Sequence, residues 1–270
     1  MLFKKNKKRV RIKMKILIVI DETNFYHPYF FFDLYQRLKK RKYNISVGLV
    51  TKVKNKNSIE KYLLKNLSKL YLSEILLLGI KKLFFLSTDK ILANFNIFFS
   101  VKSIINSFKI DFFEILYDIN QKKYLKKIEK IKPNLIISSC SVIFKKKILK
   151  IPKYGCINRH TALLPSYGGV YPVFQSIADG KKYSGITVHL MSNKIDQGKI
   201  LAQEKILNKQ NNLSKIYKEG FSKSAKLIIK GIDILLKKKK IIQYNYNKSY
   251  FSFPNDSRWI KFRKNKGRFI

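Results

Sequence analysis

Short apolar runs and amphipathic stretches alternate along the start of the chain. Residues 15–20 (KILIVI) form a continuous apolar run rich in β-branched side chains, a pattern typical of a strand buried on both faces. Residues 29–41 place apolar side chains at helical spacing and end in a basic turn, which suits the negative end of a helix. Because residues 45–50 are again strand-like, the order strand–helix–strand predicts a parallel sheet with a right-handed crossover.

The middle of the chain interrupts this alternation. Residues 53–110 are first polar and lysine-rich and then strongly apolar at helical spacing. We therefore predict a mostly helical insertion after the second strand, with Phe and Leu side chains that pack on the domain. Strands are predicted further on at 113–117, 134–138, 154–158, 185–191 and 200–206, and helices at 121–131, 145–150, 171–178 and 213–236. The whole pattern predicts an α/β fold with a Rossmann-like, mainly parallel sheet flanked by helices.

Length and composition indicate a globular protein. The chain has 270 residues, 46% of them apolar, and we divide it into a disordered basic lead (1–13), a folded domain (14–240) and an aromatic, Arg-containing tail (241–270). Charged residues interrupt the apolar runs before they reach the ~18–20 residues that cross a bilayer, so we expect no membrane partner. Cys140 and Cys156 have neither disulfide-framework nor metal-site spacing, which favours a reduced, cytoplasmic protein without a metal.

The charge is unusual. Lys and Arg number 58 against 16 Asp and Glu, a formal net charge of +42, and only eight of the 58 are Arg. Nucleic-acid recognition favours Arg, whose planar fork binds phosphate and bases in bidentate fashion. Because the lysines are spread along the whole chain, the charge raises the affinity for polyanions such as RNA without identifying a function.

The best candidates for chemistry lie between residues 155 and 201. Asn158 and His160 are two residues apart at a predicted strand end, so both side chains point to the same face. There, the Asn amide and a protonated His can donate hydrogen bonds to an oxyanion, as acyl transfer to an amine requires. Asp196 can take the proton of the amine or hold the imidazolium. Taken singly, each residue has an ordinary alternative as a turn former or a structural side chain.

The order of motifs around these residues resembles the folate-dependent formyltransferases, a family that includes methionyl-tRNA, glycinamide-ribonucleotide and nucleotide-sugar N-formyltransferases. The matching motifs are N-x-H (158–160), L-L-P-x-Y (163–167), G-x-x-P (169–172), G-x-T-x-H (185–189) and D-x-G (196–198). The resemblance implies the fold of the family's N-terminal catalytic domain over residues 14–240. It also implies formyl transfer from 10-formyltetrahydrofolate to a primary amine, with Asn158, His160 and Asp196 as catalytic residues.

The resemblance further implies where the two substrates bind. The pterin of the folate would lie between residues 139–144 and residues 191–195, where Ser192, Asn193 and Lys194 stand in place of the acidic residues common in the family. The implied folate-binding residues are Ser141, Val142, Ile143, Phe144, Leu164, Pro165, Met191 and Ile195. The implied acceptor-binding residues are Tyr167, Gly169 and His189. Core packing is the alternative for Ile143 and Phe144, and a structural role is the alternative for His189.

The sequence restricts the class of acceptor but does not identify the molecule. Glycinamide-ribonucleotide enzymes hold a phosphate in a glycine-rich turn after the first strand, where this chain has Asp21 and Glu22, which would repel it. The tRNA enzymes carry a C-terminal β-barrel, for which the thirty residues after 240 are too few. We therefore expect a small acceptor such as a nucleotide-linked amino sugar. Methionyl-tRNA formyltransferase-like activity, non-catalytic RNA or polyanion binding on the same scaffold, and hydrolysis of the formyl donor are the alternatives.

The tail differs in composition from the rest of the chain. It holds three of the eight arginines, Arg258, Arg263 and Arg268, and the single Trp. One interpretation is a flap that binds the base and phosphates of the acceptor. The other, which we prefer, is a tail pinned to the body by aromatic burial.

Overall fold

The structure is a computed structural model that describes residues 14–54, 59–237 and 247–270. A β-sheet lies at its centre. Within these ranges, the strands are β1 (Lys15–Asp21), β2 (Asn44–Val53), β3 (Asp111–Tyr117), β4 (Leu135–Ser139), β5 (Cys156–His160), β6 (Gly168–Gly169), β7 (Tyr183–Leu190), β8 (Ile200–Leu207) and β9 (Tyr250–Phe251). Seven of them pair in the order β3-β2-β1-β4-β5-β7-β8, and β6 pairs with β9 in a small second sheet.

Helices cover both faces of the large sheet. The helices of the described residues are α1 (His27–Lys40), α2 (Ile59–Lys65), α3 (Leu72–Leu92), α4 (Val101–Ser107), α5 (Lys122–Ile131), α6 (Lys146–Leu149), α7 (Pro172–Ala178), α8 (Leu213–Leu236) and α9 (Asp256–Lys264). Alternate residues of β1 enter opposite layers: Ile18 joins the core formed with α1 and α8, and Leu17 joins the core formed with α5. No helix in the described part of the chain has the length and apolar character needed to cross a membrane.

Strand direction divides the sheet into two parts. β3, β2, β1, β4 and β5 pair in parallel, whereas β5–β7 and β7–β8 pair antiparallel. The antiparallel part matters for function, because it places β7 directly beside the end of β5. The prediction of a Rossmann-like, mainly parallel α/β fold is confirmed.

The insertion between β2 and β3 is helical where the structure describes it, as predicted. Its aromatic residues Phe85, Phe98 and Phe99 are buried on the domain. The packing expectation is wrong for much of α3, because the following side chains are 50–72% exposed: Leu72, Leu76, Leu77, Ile80, Leu83, Phe84, Leu86 and Ile91. α3 is apolar around most of its circumference, and a helix turns only one side toward the domain.

Aromatic side chains fix the tail to the body of the protein. Trp259 and Phe262 of α9 are buried, and Phe262 stacks on Phe174 of α7 with ring centroids 4.1 Å apart. Trp259 also stacks on Phe269 at 5.5 Å. Burial of such large apolar side chains stabilises the folded state by about 1.5–3 kcal/mol each.

Two of the tail arginines are used within the protein. Arg263 donates to both carboxylate oxygens of buried Glu74, at 3.0 and 2.6 Å. Arg258 donates to Asp179 and to the side chain and carbonyl of Gln175. These contacts support the pinned tail over the flap, because each guanidinium already holds a protein partner.

Candidate active site

Polar side chains from separate parts of the chain converge beside the end of β5. Oδ1 of Asp196, in the β7–β8 connection, lies 3.8 Å from Nδ1 of His160 and 3.6 Å from Nε2 of His189. The amide nitrogen of Asn158 lies 3.4 Å from the same Nε2 of His189. The structure therefore brings together the predicted catalytic residues Asn158, His160 and Asp196. His189, predicted to bind the acceptor, lies in the same group, which we call the catalytic cluster.

The register of two antiparallel strands builds this cluster. Asn158 and His160 alternate along β5 and share one face of the sheet. His189 of β7 is the register partner of Asn158, and directly opposed residues of neighbouring strands lie side by side. Local alternation along β5 therefore supplies two of the side chains, and long-range pairing supplies His189.

Backbone carbonyls fix the orientation of both imidazoles. Nε2 of His160 lies 2.9 Å from the carbonyl oxygen of Tyr167, and Nδ1 of His189 lies 2.9 Å from that of Leu190. Since a carbonyl only accepts hydrogen bonds, each of these nitrogens carries a proton. In the neutral form of either ring, the nitrogen that faces the cluster then holds a lone pair. The amide of Asn158 donates to that lone pair on His189.

Burial and charge set the protonation of the cluster. Burial lowers the pKa of His160, which is 9% exposed, although Asp196 acts in the opposite direction. Burial by itself raises the pKa of Asp196, but the adjacent His160 and His189 and the hydrogen bond from the Gly169 N–H bring this pKa well below its usual range. At neutral pH, Asp196 is therefore ionised and His160 neutral. The expectation of a protonated His160 thus holds only after this ring has taken up a proton.

The backbone around Asp196 explains the D-x-G motif. Asp196 has φ = 55°, in the left-handed region, and its Oδ2 accepts a 2.8 Å hydrogen bond from the N–H of Gly169. A Cβ atom on Gly198 would lie 1.6 Å from the carbonyl oxygen of Leu190. Glycine is therefore required at 198 to let the loop fold back against β7 and present Asp196 to the histidines.

The other predicted acceptor-binding residues contact the catalytic cluster or its supports. The carbonyl of Tyr167 orients His160, and its ring stacks on Phe251 of β9 with centroids 5.6 Å apart. Gly169, at φ = 93°, holds Asp196 through its N–H, and a Cβ there would lie 2.0 Å from the carbonyl oxygen of Phe251. Both residues position catalytic side chains, and their contact with an acceptor stays a prediction.

The loops expected to hold the folate flank the cluster. The first follows β4, whose Ser138 pairs with Asn158, and the second ends at Asp196. Ile143 on the first loop and Ile195 on the second are 55% and 43% exposed. Large apolar side chains exposed on both sides of a polar cluster are typical of a ligand-binding surface.

The remaining predicted folate residues lie deeper. Val142, Phe144 and Leu164 are buried, and Met191 packs on the core that contains Val142 and Phe144. The core-packing alternative thus describes the position of Phe144 but not that of Ile143. Hydrogen bonds hold Ser141 and Pro165 in place: Ser141 donates to the carboxylate of Asp21, and the carbonyl of Pro165 accepts from the N–H of Ser249. Folate binding by these residues stays a prediction.

Two residues beside the cluster were missed from the sequence. Arg159 points to the other face of β5, where burial lowers its pKa to about 9 and its guanidinium lies 3.7 Å from the ring centre of Phe221. Its position between Asn158 and His160 is visible in the sequence, but its burial is not. Tyr250 of β9 lies against Gly168, and burial together with the charge of Asp196 raises its pKa.

Metal ligands are not grouped here. Among the residues that the structure describes, no set of three or more His, Cys, Asp or Glu side chains is arranged to hold a metal ion.

Solved structures show the same fold. A sugar N-formyltransferase from Shewanella sp. FDAARGOS_354 superposes with a TM-score of 0.57 at 17% identity, over 94% of this chain and 89% of that one. HypX from Aquifex aeolicus, solved in complex with tetrahydrofolic acid, gives 0.52 at 13% identity, over 94% of this chain and 34% of that one. At these identities the likeness concerns the fold alone.

The sequence comparisons include the residues of the catalytic cluster. Residues 100–231 match the model of the formyl transferase family. The methionyl-tRNA formyltransferase of Caldicellulosiruptor saccharolyticus is 41% identical over 102 residues, which are 38% of this chain and 29% of that protein. The chain spans less than half the length of the curated relatives it matches. The matched segment contains every residue of the catalytic cluster, so the part of the chain that builds the site is similar to the formyl transferase family.

Proposed function

We propose that this protein transfers a formyl group from 10-formyltetrahydrofolate to a primary amine. The observation that carries the proposal is the convergence of Asn158, His160 and Asp196 within the segment that matches the family. An amide donor, a neutral imidazole and an ionised carboxylate are the groups that acyl transfer to an amine requires.

The cluster supplies each proton movement of this reaction. As the amine nitrogen bonds to the formyl carbon, the carbonyl oxygen gains negative charge, and the amide of Asn158 donates a hydrogen bond to it. Nδ1 of His160 accepts the proton that the amine loses. The carboxylate of Asp196, 3.8 Å away, stabilises the resulting imidazolium. His160 then returns the proton to the folate nitrogen as the bond from that nitrogen to the formyl carbon breaks, which leaves a formamide and tetrahydrofolate.

The loops beside the cluster fit the formyl donor. Ile143 and Ile195 offer exposed apolar surface for a flat pteridine ring, and Met191 lies at the base of the second loop. The N–H of Met191 bonds the carbonyl of Cys156 at 2.7 Å, which ties this loop to β5. When bound, the donor would supply the activated formyl group, and these residues would orient it toward Asn158 and His160.

For the acceptor we propose a small molecule, such as a nucleotide-linked amino sugar. The loop after β1 carries two carboxyl groups, those of Asp21 and Glu22, where a glycinamide-ribonucleotide enzyme would hold a phosphate. Asp21 accepts from Ser141, and Glu22 accepts from the N–H groups of Val101 and Lys102. An added phosphate would meet these carboxylates at close range.

Formylation of methionyl-tRNA is the second candidate. It is favoured by the curated relatives that carry this activity in their names and by the net charge of +42, which attracts RNA. The matched segments cover less than half of those proteins, so the likeness does not extend to their whole length.

A direct assay separates these candidates. The protein is incubated with 10-formyltetrahydrofolate and either free amino sugars, nucleotide-linked amino sugars or methionyl-tRNA, and mass spectrometry reports which amine gains a formyl group. We expect a nucleotide-linked amino sugar to be formylated. Formylation of methionyl-tRNA alone would establish the second candidate, and release of formate without an amine would identify a hydrolase. Failure to bind the folate or to transfer its formyl group to any amine would refute the proposal.

A further inference from the structure

A cavity of about 540 Å³ lies beside the catalytic cluster. Tyr167 connects the two, because its ring lines the cavity while its carbonyl accepts the hydrogen bond from His160. Phe251 of β9 forms another part of the wall. A volume in this range accommodates a small organic molecule but not a folded RNA.

Lysines without counter-charges line this cavity. Lys181, Lys182 and Lys205 belong to its wall, and within the described part of the chain none of their ammonium groups takes part in an ion pair. The ammonium groups of Lys182 and Lys205 lie 5.7 and 5.8 Å from the ring centre of Tyr183. Two positive charges thus share one aromatic ring, which a cation–π contact stabilises only weakly at an exposed site.

The carboxylates near these lysines are already occupied. Asp179, in the cavity wall, pairs with Arg258 at 2.5 Å and accepts from the hydroxyl of Tyr167. Glu204, the neighbour of Lys205 in the chain, pairs with Lys223 at 3.0 Å. The cavity therefore keeps a net positive charge that an anionic ligand would neutralise.

We propose that this lysine cavity, defined by Lys181, Lys182, Lys205, Tyr183 and Tyr167, binds the diphosphate of a nucleotide-linked acceptor. The inference rests on the proposed function, since Tyr167 both lines the cavity and contacts His160, and a diphosphate bound there would hold the attached amino sugar beside the cluster. Ammonium groups bind phosphate oxygens through charge-assisted hydrogen bonds.

The first experiment measures binding without chemistry. Uridine diphosphate is titrated calorimetrically into the wild-type protein, into Lys182→Gln/Lys205→Gln and into a matched control, Lys123→Gln/Lys127→Gln. The control removes two lysines of α5. The ammonium group of Lys123 lies 4.8 Å from the ring centre of Tyr124, and that of Lys127 lies 5.6 Å from the ring centre of Phe113. The control therefore changes the net charge and the cation–π contacts in the same way, away from the cavity.

We expect the cavity variant to weaken the Kd at least about tenfold, because lost hydrogen bonds to a charged partner exceed 1.4 kcal/mol, which is one factor of ten. The control should retain the Kd of the wild type within about twofold. Equal affinities of all the proteins, or equal weakening in both variants, would overturn the proposal.

The second experiment separates the cavity from the reaction. The ratio of kcat/KM for a nucleotide-linked amino sugar to kcat/KM for the same sugar without its nucleotide should fall about tenfold in Lys182→Gln/Lys205→Gln and stay constant in the control. If formylation occurs but this ratio is the same in the cavity variant as in the wild type, the assignment of the diphosphate site is wrong and the proposed function stands. If no amine is formylated but the binding of uridine diphosphate still depends on Lys182 and Lys205, the proposed function is wrong and the site stands.

Discussion

Replacement of Asp196 by Asn tests the electrostatics of the cluster with little change in shape. The side chain is 8% exposed, and the amide oxygen of Asn can still accept the 2.8 Å hydrogen bond from Gly169. Asn also tolerates the left-handed backbone at φ = 55° better than most residues. The substitution therefore removes the negative charge beside His160 and preserves the loop.

The distance between the two side chains sets the expected loss of activity. Oδ1 of Asp196 lies 3.8 Å from Nδ1 of His160, the atom that gains a proton during the reaction. At an effective dielectric constant of about 20, unit charges about 4 Å apart attract by roughly 4 kcal/mol. Because this attraction exists only after His160 is charged, Asp196→Asn should lower kcat about a thousandfold.

The pH profile of kcat/KM tests the role of Asp196 independently, because the structure predicts the direction in which the profile moves in Asp196→Asn. The reaction needs neutral His160, so kcat/KM rises as the pH passes upward through the pKa of this ring. Asp196 raises the pKa of His160 against the lowering by burial. Without the carboxylate the pKa of His160 falls further, and the rising part of the profile should move to lower pH.

Both effects are measured with the acceptor found in the formylation assay. Asp33→Asn is the matched control, because it also removes one carboxylate, from an exposed pair with Arg37 on α1, and it should behave as the wild type. Folate binding should persist in Asp196→Asn, which separates loss of catalysis from unfolding. A kcat within tenfold of the wild type, or a rising limb that moves to higher pH, would refute this role of Asp196.

Further substitutions test other parts of the structure. Gly198→Ala should lower kcat more than about tenfold through the displaced Asp196 loop, since its Cβ would lie 1.6 Å from a carbonyl oxygen; wild-type turnover would contradict this. Gly79→Ala, which meets nothing within 4 Å on α3, should raise the free energy of unfolding by about 0.5–1 kcal/mol in urea titrations. Arg263→Met leaves Glu74 buried without its partner and should lower that free energy by about 3 kcal/mol; a change below about 1 kcal/mol would argue against the pinned tail.

The strands of the large sheet could be predicted because burial on both faces leaves a dense apolar run, as in β1. The helix α9 could not, because its buried side chains Trp259 and Phe262 are few and depend on Phe174, far away in the chain. The paired strands β6 and β9 are two residues long and show no periodicity. Local patterns thus reveal elements that carry their own burial signal and miss those that only tertiary contacts define.

The candidate site shows the same division. Spacing in the sequence indicated that Asn158 and His160 share a face, and the resemblance added Asp196. That His189 touches Asn158 follows from the antiparallel register of β5 and β7, which no local pattern encodes. The neutral state of His160 depends on its burial, and the tautomer of the neutral ring depends on the carbonyl of Tyr167; both belong to the folded protein.

The protonation states of the catalytic cluster do not distinguish an amine from water, so residues outside the cluster must select the acceptor. Before the reaction, Asp196 carries one negative charge and His160 none, so the uptake of one proton leaves an imidazolium–carboxylate pair with no net charge. This uptake is equally available from a water molecule, which makes hydrolysis of the donor the inherent competing reaction. Transfer prevails only where the amine is held against the formyl carbon at high effective concentration and water is displaced. In our proposal the lysine cavity beside Tyr167 performs that task, so substitutions there should raise formate release relative to amine formylation, whereas substitutions in the cluster should lower both.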